Sequence, residues 1–447
     1  MMKTQVYSFP REKGEIQRVQ LVRPESWQSL DFFAPSPSPA ALDCFADIYE
    51  KYLVPACPPL FCNMVMFRLP EELEAALPTY ISDRGLLSDR LSIAAAALKK
   101  GIRIRGGKVH FKDESLRPLW TELEARGCVR IIKGIQPRTK IIPVANIAGY
   151  LSASAAGASM KANSSFFIMD CFDAATIHDH VGTPLGLCVK DGEILNPPLF
   201  SREALLVKKD GSVCIEQPDL KDLSIGIGEH SFRHGENCRI YSRPEKLLSP
   251  LRGEKLIVVG GRVAAVIKSG AVKIPASGFV LCPFEESGVR PGDRVCYSGM
   301  EDIAFGIQVG NSILRDGVMT ERFISRFYNI RRLEPVPFPP SLYPMDFNRA
   351  RAARIALGAD RDGAPMLIWA EGAAKTGHRP GEDSCGASLF EMAEICKELG
   401  MYNAVNLDGG GSAQILVNND RSLKISDRQG SDHEEAERPV ALGLCIK

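Results

Sequence analysis

The sequence predicts a mixed α/β (α+β) fold: a strand-rich domain over residues 151–447 with a few covering helices, and a smaller N-terminal α/β accessory region over 1–150. Three observations predict it. The stretch from Ser388 to Val417 reads as a capped amphipathic helix, then a short buried strand, a glycine turn and a second strand. The segment from Leu205 to Val318 is strand-rich, with turns at Asp210-Gly211, Gly260-Gly261, Pro291-Gly292-Asp293 and Asp316-Gly317. Before residue 150 the composition shifts to short helical patterns, a Gly-Gly hairpin and an excess of basic side chains.

The 388–417 stretch carries the clearest local signals. Ser388 followed by Glu391 is a capping box, in which each residue satisfies a backbone N–H that the helix leaves unpaired. Leu389, Met392, Ala393, Cys396 and Leu399 fall at helical spacing on one apolar face, and Gly400 stands where a helix ends in a left-handed residue. Ala404 to Leu407 reads as a buried strand and Ala413 to Val417 as its continuation after a turn.

In the N-terminal region, Ala34-Pro35-Ser36-Pro37-Ser38-Pro39 cannot be helix interior. Ala40 to Leu53, Pro70 to Ala76, Leu87 to Lys99 and Ser115 to Arg126 read as helices. Ile102 to Phe111 alternates around Gly106-Gly107 as a hairpin, and Val129 to Ile132 reads as a strand. The basic side chains of 99–140, among them Arg103, Arg105, Lys108 and Arg130, suit a solvated or docking face better than nucleic acid, which is an unlikely partner.

The 447 residues suffice for two or three domains, with 45% apolar residues for their cores. A net charge of +1 argues for neither nucleic acid nor membrane, and there is no run of eighteen apolar residues. The start shows no apolar leader, and thirteen scattered cysteines form no CxxC pair. These features give the expectation of a reduced, cytoplasmic protein. His178-Asp179-His180 and the pair His230 and His234 are the only metal-like spacings; neither is taken as a site, so no metal or cofactor is expected.

Between the last two strands lies Asp408-Gly409-Gly410-Gly411-Ser412. Three glycines weaken a strand, so they mark backbone that something approaches closely or that is forced to positive φ. Successive N–H groups in such a turn bind anions, and a carboxylate beside them can do acid–base or nucleophilic work. A tight turn with Asp408 as its cap is the structural alternative.

The surrounding residues resemble the phosphodiester glycosidase family. That family reads LxEMAE and then NAxNLDGGGS; here stand Leu389, Glu391-Met392-Ala393-Glu394 and the run Asn403 to Ser412. Arg354 falls on the arginine of the family's RTAIG strand, Glu371-Gly372 where relatives have Asp-Gly, and Ser384-Cys385-Gly386 on its SxG. Two departures stand out. Asn163-Ser164-Ser165-Phe166-Phe167 replaces NGGFF, and Ala373 replaces an arginine that many relatives carry.

The resemblance implies hydrolysis of a sugar 1-phosphodiester to free sugar and a phosphomonoester, with a sugar-phosphate, glycan or glycolipid substrate. It implies Asp408 as the catalytic carboxylate with Glu371 as partner, and Arg354 as phosphate clamp. Asn163, Ser384, Asn406, Gly409, Gly410, Gly411 and Ser412 are the substrate-binding candidates. A structural salt bridge for Arg354, and local backbone bonding for Asn163, Asn406 and Ser384, are the alternatives. A non-catalytic carbohydrate- or phosphate-binding protein, or a hydrolase of another phosphodiester, remain the rival functions.

Overall fold

A computed structural model describes residues 2–35, most of 149–320 and most of 350–446; between 36 and 148 it describes short strands and a few further residues. The strands that matter for the site are, in chain order, β1 (Lys3–Pro10), β2 (Ile16–Arg23), β3 (Leu30–Phe33), β4 (Met160–Asn163), β5 (Ser312–Arg315), β6 (Val318–Met319), β7 (Arg354–Ala359), β8 (Pro365–Ala370), β9 (Asn403–Asn406), β10 (Ile415–Val417) and β11 (Gly443–Ile446). One α-helix is described from end to end, α1 (Leu389–Glu398).

A seven-stranded antiparallel sheet runs β1-β2-β8-β7-β9-β5-β6. Its centre is β7, which pairs with β8 from Arg354↔Ala370 to Ala359↔Pro365 and with β9 from Ala356↔Asn406 to Ala359↔Asn403. Every residue of β7, β8 and β9 is buried. That explains their unbroken apolar runs, because a sheet covered on both faces has no solvent side to mark by alternation. Alternate side chains still divide between two cores. Ala356, Ile368, Ala370 and Ala404 pack with α1, whereas Ile355, Leu357, Leu367, Trp369, Val405 and Leu407 enter the larger core on the other face.

The predicted helix forms as read. Ser388 Oγ accepts from the Glu391 N–H at 3.2 Å while Glu391 Oε2 accepts from the Ser388 N–H at 2.8 Å. Gly400 at φ +93° ends it: the Gly400 N–H donates to Lys397 O at 3.1 Å and the Met401 N–H to Cys396 O at 2.8 Å. This double bond pattern is the Schellman stop that a left-handed glycine permits.

A second antiparallel sheet, β3-β11-β4-β10, stands beside the first. The predicted strand-rich middle is confirmed: Cys188–Lys190, Glu193–Asn196, Ala204–Lys208, Val213–Glu216 and Ile303–Ile307 form one sheet, and two smaller sheets fill 224–298. The mixed α/β reading is thereby narrowed. Strands dominate, and every described ladder is antiparallel.

Two further findings concern the N-terminal residues. β2 pairs with β8 through Val19↔Ala370, and β3 pairs with β11, so residues 3–33 belong to the same two sheets as the C-terminal motifs. The helix expected over Ala40 to Leu53 is a correction: Ala46–Tyr52 is a strand paired with Met64–Arg68 and with Thr139–Ala145. Ile48, Tyr49 and Tyr52 suit a pleated surface, and cross-strand pairing overrides helical spacing there. The hairpin forms as read, with Arg105↔Lys108 at its end, as does the strand Val129–Ile132. The helices read at 70–76 and 87–99 lie outside the described residues; within Ser115 to Arg126, Arg117 and Thr121 are helical.

Candidate active site

Because β7 runs antiparallel to both neighbours, its first residue lies at the same edge as the last residues of β8 and β9. Arg354 begins β7 opposite Ala370, and Glu371 is the next residue along. On the other side the Leu407 N–H donates to Ile355 O at 2.8 Å and the Gly410 N–H to Ala353 O at 2.8 Å. The glycine turn therefore folds onto the start of β7. The backbones of Arg354, Glu371 and Asp408 thus lie at one end of the central strands, with Arg354 on the α1 face and Glu371 turned toward the Lys424 N–H.

Two glycines of the turn are required for different reasons. A Cβ on Gly409 would stand 2.8 Å from Ala353 O and 3.6 Å from Arg354 Cδ, so the turn could not lie this close to β7. Gly410 has φ +60° with no heavy atom near its missing Cβ, so its need is conformational. The Gly410 N–H is committed to Ala353 O, whereas those of Gly409 and Gly411 meet no backbone carbonyl among the described residues.

Asp408 is 6% exposed and its backbone is held at both ends. Its N–H donates to Ser164 O at 3.0 Å, and its carbonyl accepts from Asn163 Nδ2 at 2.8 Å. Asn163 Oδ1 accepts in turn from the Gln414 N–H at 3.0 Å. The Asn163 amide thus bridges the two ends of the glycine turn, 245 and 251 residues along the chain.

Glu371 is 2% exposed. Its N–H donates to Arg18 O at 2.9 Å, its carbonyl accepts from Ser384 Oγ at 3.0 Å, and its Oε1 accepts from the Lys424 N–H at 2.9 Å. Ser384 Oγ also accepts from the Arg18 N–H at 3.3 Å, so this serine buttresses Glu371 from below. Arg354 shares the helix face with Ala356; its Nε donates to Ala387 O at 3.1 Å and its Nη2 to Ala350 O at 2.8 Å. Asn406 stays inside β9, its Nδ2 donating to Leu407 O at 2.8 Å. Ser412 is fully buried in the one-turn helix Gly410–Ser412.

Sequence reasoning missed a supporting ion cluster. Arg351 donates to Glu391 from Nη2 at 2.5 Å and to Glu15 from Nη1 at 2.5 Å, tying β2, the β7 approach and α1 together. Burial alone would raise the Glu391 pKa, but the Arg351 guanidinium and the Ser388 N–H and hydroxyl outweigh it and hold the carboxyl below its ordinary value. No local signal marks this cluster, since Glu15 is 336 residues from Arg351. The same holds for Lys424 and Gln414, which act through backbone N–H groups that any residue type carries.

Of the histidine spacings, His180 lies outside the described residues. Asp179 accepts from the Ala175 and Thr176 N–H groups and the Thr176 hydroxyl through one oxygen, and from the Ser277 N–H and hydroxyl through the other. His230 begins a strand rather than lying on a helix, and His234 Nδ1 accepts from the Ile240 N–H at 3.0 Å. Among the described residues no group of three or more His, Cys, Asp or Glu is placed to hold a metal, and no helix is long and apolar enough to cross a membrane.

A model of the phosphodiester glycosidase family matches residues 172–447, well over half of the chain. The chain belongs to that family. Among curated proteins it is 35% identical over 100 residues to N-acetylglucosamine-1-phosphodiester alpha-N-acetylglucosaminidase of Mus musculus, covering 22% of this chain and 18% of that protein. The Homo sapiens protein of the same name is 36% identical over 95 residues, covering 21% and 17%. The matched stretch thus spans under a fifth of these relatives. Among solved structures, a hypothetical protein from Synechocystis superposes with a TM-score of 0.43 at 14% identity, covering all of this chain and 62% of the other. The zebrafish N-acetylglucosamine-1-phosphodiester alpha-N-acetylglucosaminidase catalytic domain, auto-inhibited by its pro-peptide, gives 0.38 at 11% identity, covering 100% and 82%.

Proposed function

We propose that this phosphodiester glycosidase family member hydrolyses a sugar 1-phosphodiester at the anomeric carbon, releasing free sugar and a phosphomonoester. One observation carries the reading: the glycine turn packs on the start of β7, so that the buried Asp408 and two backbone N–H groups with no backbone acceptor lie beside the strand end that carries Arg354.

The chemistry fits those groups. Water attacks the anomeric carbon while the bond to the phosphate oxygen breaks and its electron pair leaves with the phosphomonoester. Phosphate is a good leaving group, so a strong general acid, needed in ordinary glycosidases with two carboxylates, is less important. Asp408 takes the proton from the attacking water or attacks the carbon itself. Arg354 brings its positive charge toward the phosphate oxygens, and the Gly409 and Gly411 N–H groups add neutral donors to the developing charge. Glu371, held by the Lys424 N–H, is the second carboxylate of the edge. Asn163 and Ser384 serve by fixing the backbone of Asp408 and Glu371.

The relatives' names point to N-acetylglucosamine 1-phosphodiesters as the first substrates to try. The test is incubation of the purified chain with an aryl phosphodiester of N-acetylglucosamine 1-phosphate. Free sugar plus aryl phosphate supports the reading. Sugar 1-phosphate plus phenol means attack at phosphorus, and no turnover of any sugar phosphodiester means a binding protein; either outcome overturns it.

A further inference from the structure

Two buried hydroxyls at this edge have no hydrogen-bonding partner among the described residues, those of Ser165 and Ser412. Ser165 is 2% exposed and Ser412 is fully buried. An unpaired buried hydroxyl costs about 1–3 kcal/mol, so each of these two points to a group that completes its bonds.

The backbone sets each of them near Asp408. β4 pairs with β10 from Met160↔Val417 to Ala162↔Ile415, and Asn163 extends the pairing through its bonds with Gln414. The ladder ends there: Ser412 lies in the one-turn helix that closes the glycine turn, its N–H donating to Gly409 O at 3.3 Å. Asp408 lies alongside, its N–H held by the carbonyl of Ser164, the residue before Ser165.

We propose that Ser165 determines substrate specificity: its hydroxyl, with that of Ser412, binds a ring hydroxyl of the sugar beside Asp408. The inference rests on the sugar-phosphodiester reading and deepens it. A neutral hydroxyl both donates and accepts, which matches a sugar hydroxyl; a phosphate oxygen is better served by the guanidinium and backbone N–H groups. The adjacent serine is the internal contrast. Ser164 Oγ donates to Leu442 O at 2.9 Å and completes the fold, whereas Ser165 does not.

The test is a binding cycle on the full chain with N-acetylglucosamine 1-phosphate and its monodeoxy analogues, read by calorimetry, with Ser165→Ala and Ser165→Gly in parallel. Each variant should bind the parent compound about tenfold more weakly, the effect of about one good hydrogen bond. One monodeoxy analogue should bind the unmodified chain and both variants equally, because it lacks the hydroxyl in question. The melting temperature of Ser165→Ala should not fall, since no protein bond is lost. The proposal is overturned if the variants bind the parent compound as the unmodified chain does. It is overturned equally if they lose the same factor on every analogue, or if the unmodified chain does not bind the parent compound at all. Should the expected pattern appear without any turnover, the hydrolase reading fails and the contact stands.

Discussion

Asn163 holds Asp408 by its backbone: the amide Nδ2 donates to the Asp408 carbonyl at 2.8 Å, while Oδ1 accepts from the Gln414 N–H at 3.0 Å. Both ends of the glycine turn hang on one side chain. Asn163→Ala leaves a buried carbonyl and a buried N–H without partners, so stability should drop by about 2–4 kcal/mol. Turnover should fall with it through a displaced Asp408. Chemical denaturation measures the first; unchanged stability would mean the turn is held by something else.

The glycines should separate into two kinds. Gly410→Ala meets open space and bears only the left-handed φ of +60°, so its cost should be about 1 kcal/mol, and Gly410→Asn should recover part of it. Gly409→Ala must push Ala353 O away from 2.8 Å and should cost more, with loss of activity as the turn lifts off β7. Melting temperatures of the three variants rank them; equal losses for Gly409→Ala and Gly410→Ala would contradict the packing.

The sequence made part of this legible and not the rest, for physical reasons. The capping box, the Schellman glycine and the apolar face of α1 are local, and each residue type has one dominant use there, so α1 was readable to the residue. The edge formed by Arg354, Glu371 and Asp408 was visible only through the family pattern, because ladders between residues 354, 370 and 406 depend on register. The strand at 46–52 is not legible locally, since helical spacing and β-suited residues coexist in it. The Arg351 cluster and the unpartnered Ser165 hydroxyl emerge only when distant segments meet.

Acid should weaken the tie between α1 and β7. The Glu391 carboxyl lies below its ordinary value in the folded chain, so its contribution is complete above about pH 4.3 and is lost as pH falls through the lower folded value. Arg351 is 36% exposed at its side chain, so after screening the contribution is about 1 kcal/mol. Glu391→Gln should lower stability at pH 7 and narrow the difference from the parent below pH 4. Denaturation at both pH values checks it; a constant difference would show that the charge does not matter.

Arg354 has structural and proposed phosphate-binding roles that one pair of variants can separate. Arg354→Ala loses its bonds to Ala387 O and Ala350 O and should lower both stability and sugar-phosphate affinity. Arg354→Lys keeps the charge without the fork, so affinity should recover less than stability does. Calorimetry beside thermal unfolding reads both; full affinity in either variant would remove Arg354 from the phosphate site.

The most direct measurement is turnover of the aryl sugar phosphodiester by Asp408→Asn, beside its binding of N-acetylglucosamine 1-phosphate. The substitution keeps size and backbone bonds, including the carbonyl that Asn163 holds, and removes only the charge. Turnover number should fall by a factor on the order of a thousand or more with binding within about threefold of the parent. Parent-like turnover in Asp408→Asn would reduce Asp408 to a turn cap and contradict the proposed mechanism.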